Sequence, residues 1–352
     1  MPRRQMRVDA LIVGQGLAGA ILAWVLLKRG LSVLAVDDGR VSASRVAAGL
    51  LNPVTGQRLV KSAGAEVLLS ARRCYLELSR ALGRRYYYPA PMLRVLRNAA
   101  EAEAARRRLA RPEYRAYLSG WTPRYPGLTA PFGVLRQEET GFLLTAPLLD
   151  DLAAYFQRRQ VYRRADFEHA ELRAEGRGLR WRDVYCRFAV FCEGYRAMEN
   201  PWFARLPFQL AKGEILSGAT DARLAWRILN YGHWCIPQPD GGFKTGATFT
   251  PFSGDLSPDP NAESLLRADL LGVCPGLAPL RMFARHVGVR AASLDKQAFA
   301  GAHPSHDSIL IFNGFGARGG LSIPWCAEKL ANWMIYSQPL PAAIDVRRYE
   351  LG

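Results

Sequence analysis

The sequence predicts an α/β protein, α+β overall. The two ends of the chain share one helix-covered sheet, and an antiparallel β-sheet domain is inserted between them. Three observations predict this. Glycine-rich strand-to-helix turns recur at residues 10–29 and 308–336, and residues 206–289 alternate short strands with turns. The 352 residues are 49% hydrophobic and 22% charged, which supports a sizeable core and a soft prior for two domains. That make-up excludes a disordered or collagenous chain.

Residues 10–13 (Ala-Leu-Ile-Val) form a continuously apolar run, the pattern of a strand covered on both faces. It enters Gly14-Gln15-Gly16-Leu17-Ala18-Gly19, a G-x-G-x-x-G turn. A helix over 20–29 follows, then a strand over 32–36 closed by Asp37-Asp38-Gly39. Each part has a physical role. Gly14 permits the tight turn, Gly16 leaves room for a pyrophosphate, and Gly19 lets helix and strand pack closely. The helix N-terminus offers free N–H groups and a positive dipole end to phosphate. Asp37, or Asp38 beside it, is spaced to accept hydrogen bonds from an adenosine ribose. The order strand, turn, helix, strand, acid predicts a dinucleotide site, with NAD and FAD both open.

Further along, helices are expected over 61–82, 98–109, 145–155 and 262–271, and a proline-marked loop around Pro123, Pro126 and Pro131. Residues 161–187 read as charged, strand-like pieces, and 189–194 as an apolar run ending at Gly194. Strands are expected over 212–216, 234–237, 242–249 and 308–312. The last meets Gly314-Phe315-Gly316-Ala317-Arg318-Gly319-Gly320 and a helix over 321–336, with Pro324 in its first turn.

The formal charge is +16, and six of the 47 basic residues are lysines. Arginine suits phosphate recognition, but an arginine-, alanine- and leucine-heavy composition accounts for much of it. Six cysteines without a C-x-x-C pair or a neighbouring histidine argue against a structural metal site, and read as buried, reduced thiols of a cytoplasmic protein. The N-terminus imitates a leader, with Arg3, Arg4 and Arg7 before an apolar run. Asp9 and the three glycines argue against that reading, and no membrane span is expected.

The chain resembles the D-amino-acid oxidase family of FAD-dependent oxidoreductases, which includes glycine oxidase and sarcosine oxidase. The resemblance covers nearly the whole chain. It is carried by Gly14 to Gly19 with Asp37, Ser44-Arg45-Val46-Ala47-Ala48-Gly49, the run ending at Gly194, Lys212-Gly213-Glu214-Ile215-Leu216, Val287-Gly288-Val289-Arg290, and Gly314 to Gly320 with Pro324. The last segment, through Ala327-Glu328-Lys329-Leu330-Ala331, is also similar to the FAD domain of the bifunctional tRNA wobble-uridine modification enzymes. The resemblance implies a Rossmann-like FAD-binding domain over residues 1–84, 141–205 and 291–352, and a substrate-binding β-sheet domain over 85–140 and 206–290. Cofactor contacts carry over to Gly14, Gly16, Ala18, Gly19, Asp37, Asp38, Ser44, Arg45, Ala48, Gly49, Gly194, Gly314, Gly316, Arg318, Gly319 and Gly320. Arg290 matches the arginine that holds the substrate carboxylate, although Ala291 stands where the family has proline. A guanidinium fork fits a carboxylate bidentately. Lys244 matches the lysine of sarcosine oxidase beside the flavin, and Tyr231, His233 or Trp234 a substrate-lining aromatic.

The implied reaction oxidises the C–N bond of an anionic amine or amino acid. Hydride passes to flavin N5, an imine forms, and oxygen or another acceptor takes the electrons. Rival readings remain open. Oxidation of a carboxymethylaminomethyl group on tRNA is motivated by the charge and by Arg84-Arg85-Tyr86-Tyr87-Tyr88 and Arg106-Arg107-Arg108. Against it, Glu101, Glu103 and Glu113 suit a solvated helix face. A non-catalytic flavin-binding protein and an NAD-dependent dehydrogenase are the others. No Ser/His/Asp or Cys/His arrangement appears.

Overall fold

A computed structural model describes residues 5–222 and 227–350; Arg3 and Arg4 of the leader-like segment lie outside them. The central sheet runs in the order Tyr162–Arg164, Val33–Asp37, Met6–Val13, Val184–Phe191. These neighbours are parallel, and the last strand also takes His306–Asn313 in parallel. The two ends of the chain therefore meet in one sheet. Their helices, Leu17–Lys28 and Gly319–Tyr336, pack on each other. Residues 19–26 are all buried, which is why that helix has no polar face in sequence.

A second, nine-stranded sheet has Phe208–Thr220, Phe243–Gly246, Trp234–Pro237, Ile228–Asn230, Met92–Val95 and Val134–Gln137 in successive order. Leu280–Ser293 pairs along Phe208–Thr220. The pairing is antiparallel except between Ile228–Asn230 and Met92–Val95, which run parallel. One face of this sheet buries Leu93, Val95, Tyr231, Cys235 and Phe243 in a local core. The other face turns toward the parallel sheet.

Several boundaries differ from expectation. The helix expected from Lys61 begins at Ala65, because Gly64 is extended at its N-cap and Lys61 pairs in a short hairpin with Val54. The strand expected over 242–249 stops at Gly246, and Ala247, Thr248 and Phe249 leave the sheet. Pro324 is the sixth helical residue rather than a first-turn one. Proline lacks the N–H that would bond the Gly320 carbonyl. The Tyr75 hydroxyl donates to that carbonyl instead, at 2.5 Å. Glu101 is not on a solvated face: Asn98 caps the helix Ala99–Leu109 through the Glu101 N–H, and the Glu101 carboxylate folds back inside at 2% exposure. Tyr86 is likewise fully buried, with its hydroxyl on Asp151, so the Arg84–Tyr88 stretch is not a solvent-facing array of stacking rings.

Candidate functional site

A cavity of about 1340 Å³ opens between the two sheets. Single-ligand pockets run to ~300–1,000 Å³, so this one has room for a large cofactor and a second ligand. One end is the first glycine turn. Gly19 packs so closely that an added Cβ would stand 1.9 Å from the Gly14 carbonyl. Gly16 caps the buried helix with no side-chain partner, and Ser44 Oγ accepts the Leu17 N–H at 3.0 Å. Asp37 accepts the Gln15 N–H at 2.7 Å and the Gly39 N–H at 2.8 Å. Asp38 is paired with Arg196 at 2.5 Å. Burial raises the Asp38 pKa, but the Arg40 amide and the Arg196 guanidinium outweigh it and hold the carboxyl below its ordinary range.

Two strands across the same sheet lies the second glycine turn. Asn313 donates to the Gly194 carbonyl at 2.9 Å, which ties the two strand ends together. Gly314, Gly316, Gly319 and Gly320 border the cavity at the N-terminus of the long helix. Arg318 also borders it, and donates to the backbone carbonyls of Ser62 and Lys296. Burial pulls its pKa down, with Asp295 opposing.

The second sheet supplies the cavity wall. Arg290 points across Gly213, whose added Cβ would lie 2.4 Å from Nη1. Nη1 donates to the Thr248 carbonyl at 3.4 Å, and the guanidinium stands 5.9 Å from the Phe249 ring centre. Among the described residues no carboxylate pairs with it. Burial pulls its pKa down, yet an arginine stays charged.

The expected residues are therefore not all brought together. Gly14, Gly16, Ala18, Asp37, Asp38, Ser44, Ala48, Gly49 and Gly194 border the cavity with Arg290 and Trp234, as do the glycines of the second turn. Gly19 serves packing behind the turn. Arg45 reaches outward to Asp150 at 2.5 Å and does not border the cavity. Tyr231 lies in the turn after the strand Ile228–Asn230 and packs on the far face of the sheet, its hydroxyl 2.9 Å from Thr245 Oγ1. His233 contacts the Ala247 carbonyl and Asp269. Lys244 shares the cavity-facing side, in register with Ser217 and Ile236, but does not border the cavity. Burial lowers its pKa, against Asp240. Cys235 and Cys326 are buried away from it. Sequence reasoning missed Arg94, Asn230, Glu193 and Asn313. A lone charge inside the apolar strand Met92–Val95 was the available signal for the first.

The family profile of FAD-dependent oxidoreductases (DAO) matches residues 9–333. The chain belongs to that family. FAD is its cofactor, and it is an oxidoreductase. The DAO chain is 30% identical over 336 residues to the tRNA 5-methylaminomethyl-2-thiouridine biosynthesis bifunctional protein MnmC of Maricaulis maris, covering 93% of this chain and 52% of that protein. It thus spans about half the length of that relative. It is 31% identical over 137 residues to glycine oxidase of Bacillus licheniformis, covering 38% of this chain and 36% of the relative. Among solved structures, glycine oxidase from Geobacillus kaustophilus superposes with a TM-score of 0.83 at 19% identity, over 99% of both chains. Iminodiacetate oxidase from Chelativorans sp. BNC1 gives 0.78 at 19% identity, over 95% of this chain and 97% of that one. No described helix is long and apolar enough to cross a membrane. No described group of three or more His, Cys, Asp or Glu could hold a metal ion.

The residues fit FAD. A Cβ on Gly16 would stand 3.3 Å from Ser44 Oγ at the edge of the cavity, and Asp37 borders the same cavity at the end of the second strand. Gly14, Gly16, Ala18 and Ser44 would hold the pyrophosphate, Asp37 the ribose, and the second glycine turn the flavin.

Proposed function

We propose that this DAO enzyme oxidises the C–N bond of an amine or amino acid that carries a carboxylate. The observation that supports it best is Arg290, a cavity-facing guanidinium with no acidic partner of its own among the described residues. An unpaired cation in such a place suits an anionic ligand. FAD, when bound, supplies the hydride acceptor. Arg290 takes the carboxylate and fixes which carbon faces the flavin, so orientation does most of the work. Trp234 supplies an aromatic wall that excludes water. The N-terminus of the helix Gly319–Tyr336 and Arg318 border the cavity and would supply positive potential to a reduced, negatively charged flavin held there. This reading assigns no general base. Residues 1–84, 141–205 and 291–352 form the FAD unit in it, and 85–140 and 206–290 the substrate unit. Oxygen or another acceptor completes the cycle. A cytoplasmic site is part of the reading, supported by six free cysteines.

The test is amine-dependent flavin reduction in the FAD-loaded protein, with glycine, N-methylglycine and D-amino acids. Arg290→Ala is expected to raise KM for anionic amines on the order of 100-fold. An unchanged KM would remove the carboxylate role. A second reading, oxidation of an anionic amine displayed on tRNA, is favoured by the 30% identity to the M. maris protein. A gel shift with tRNA that shows no salt-sensitive binding would remove it.

A further inference from the structure

We infer that the cavity carries a second anion subsite at Arg94, so that the substrate is an extended amine with one anionic group on Arg290 and another, a carboxylate or phosphate, on Arg94. This deepens the amine reading and rests on it. Arg94 is 6% exposed, borders the cavity, and has a buried Nε without a partner. Its nearest carboxylate, Glu101, is 3.7 Å from Nη2, beyond hydrogen-bond reach. That carboxylate is already held by Arg97, through Nη2 at 2.7 Å, Nε at 3.0 Å and the backbone N–H at 3.3 Å. Two guanidiniums thus share one buried carboxylate and leave a net positive charge on the cavity wall. A buried, under-compensated charge is costly unless a ligand completes it.

The sheet register says what lies beside it. Ile215 pairs with Gly246, Gly246 with Trp234, Trp234 with Asn230, and Asn230 with Arg94. An aromatic ring, an amide and a guanidinium therefore stand side by side on three neighbouring strands, facing the cavity. The strand of Arg290 is five strand steps from that of Arg94. At about 4.8 Å per step the two strands lie roughly 24 Å apart across the sheet, and Arg290 stands a further four residues along from His286, the residue of its strand that shares the row of Arg94. A free amino acid reaches one and not both. A substrate that uses both has its second anion on a tether, and that tether runs along Trp234 and Asn230.

The experiment uses the FAD-loaded protein and N-carboxymethyl amines whose second nitrogen substituent is an alkyl chain of increasing length. Each chain ends in a carboxylate, a phosphate or an uncharged methyl. Binding is read from the flavin absorbance change and turnover from kcat/KM. The charged-tail over neutral-tail preference is expected to rise with length to about tenfold or more, and to vanish in Arg94→Gln. Arg94→Lys, which keeps the charge without the fork, retains part of it. The better of the carboxylate and phosphate tails identifies the anion. Equal use of charged and neutral tails at every length overturns the inference. So does an Arg94→Gln variant that weakens both tails equally or loses FAD, since either outcome makes Arg94 structural. If short N-carboxymethyl amines are oxidised and tail charge is irrelevant, this inference alone falls. If free amino acids are oxidised and none of these tailed amines binds, this inference alone falls; if neither they nor glycine, N-methylglycine and D-amino acids bind, the amine reading falls and takes it along.

Discussion

Gly213→Ala tests whether the position of Arg290 matters separately from its presence. The added methyl would stand 2.4 Å from Nη1, 2.5 Å from Nη2 and 2.7 Å from Cζ of Arg290. Ordinary contact begins near ~3.5 Å, so the guanidinium must retreat by about 1 Å. The colliding atoms are the far end of a flexible side chain, and Gly213 has no positive φ, so the fold accommodates the methyl. Alanine also costs less chain entropy, which adds at most about 1 kcal/mol of stability. A 1 Å misplacement of a positioning group costs on the order of 100-fold in turnover. The expected result is an unchanged or slightly higher melting temperature and unchanged FAD content. Alongside it, kcat/KM for carboxylate amines drops by between about 10- and 100-fold. The assay is stopped-flow flavin reduction over a substrate series, with thermal unfolding in parallel. A variant with full kcat/KM for carboxylate amines would refute the assignment of Arg290 to the substrate.

Three further predictions concern the scaffold. Tyr75→Phe leaves the Gly320 carbonyl above Pro324 without its donor, and should destabilise by about 1–3 kcal/mol in urea unfolding; no change would show that the proline gap is otherwise satisfied. Asp38→Asn removes a carboxyl whose pKa is held low in the folded state. Such a group adds stability that is present above its unfolded pKa, near 4, and is lost as pH falls through the lower folded value. The variant should therefore be less stable than the parent at neutral pH, with the gap closing below about pH 4. A pH-independent gap would contradict the pairing with Arg196. Burial pushes the Cys326 and Cys186 thiols up to about 12, so neither should be alkylated at pH 8 until the protein unfolds. Mass spectrometry of iodoacetamide-treated native protein checks this.

The parts of the site that were legible in sequence are those in which one short segment carries the whole physical requirement. The first turn needs a bare Gly16, a close Gly19 and an acid after the next strand, and all of these lie within some forty residues. The parts that were not legible depend on which way a side chain turns. Glu101 has the local surroundings of a solvated helix residue, yet its carboxylate folds inward to Arg97 and leaves Arg94 under-compensated. Tyr231 and Trp234 are three residues apart, and the turn through Gly232 leaves the first in the core and the second on the cavity. No local pattern announces either choice.

The sequence by itself determined the two glycine turns, whose backbone demands are written in residue types, and the apolar strands that lead into them. The tertiary structure alone decided the cavity wall made by the second sheet. Gly213 makes room for Arg290, and Asn230 brings Trp234 beside Arg94, through pairings between strands far apart in the chain. Cross-strand register is set by long-range packing, and it is the register that determines which cations share the cavity.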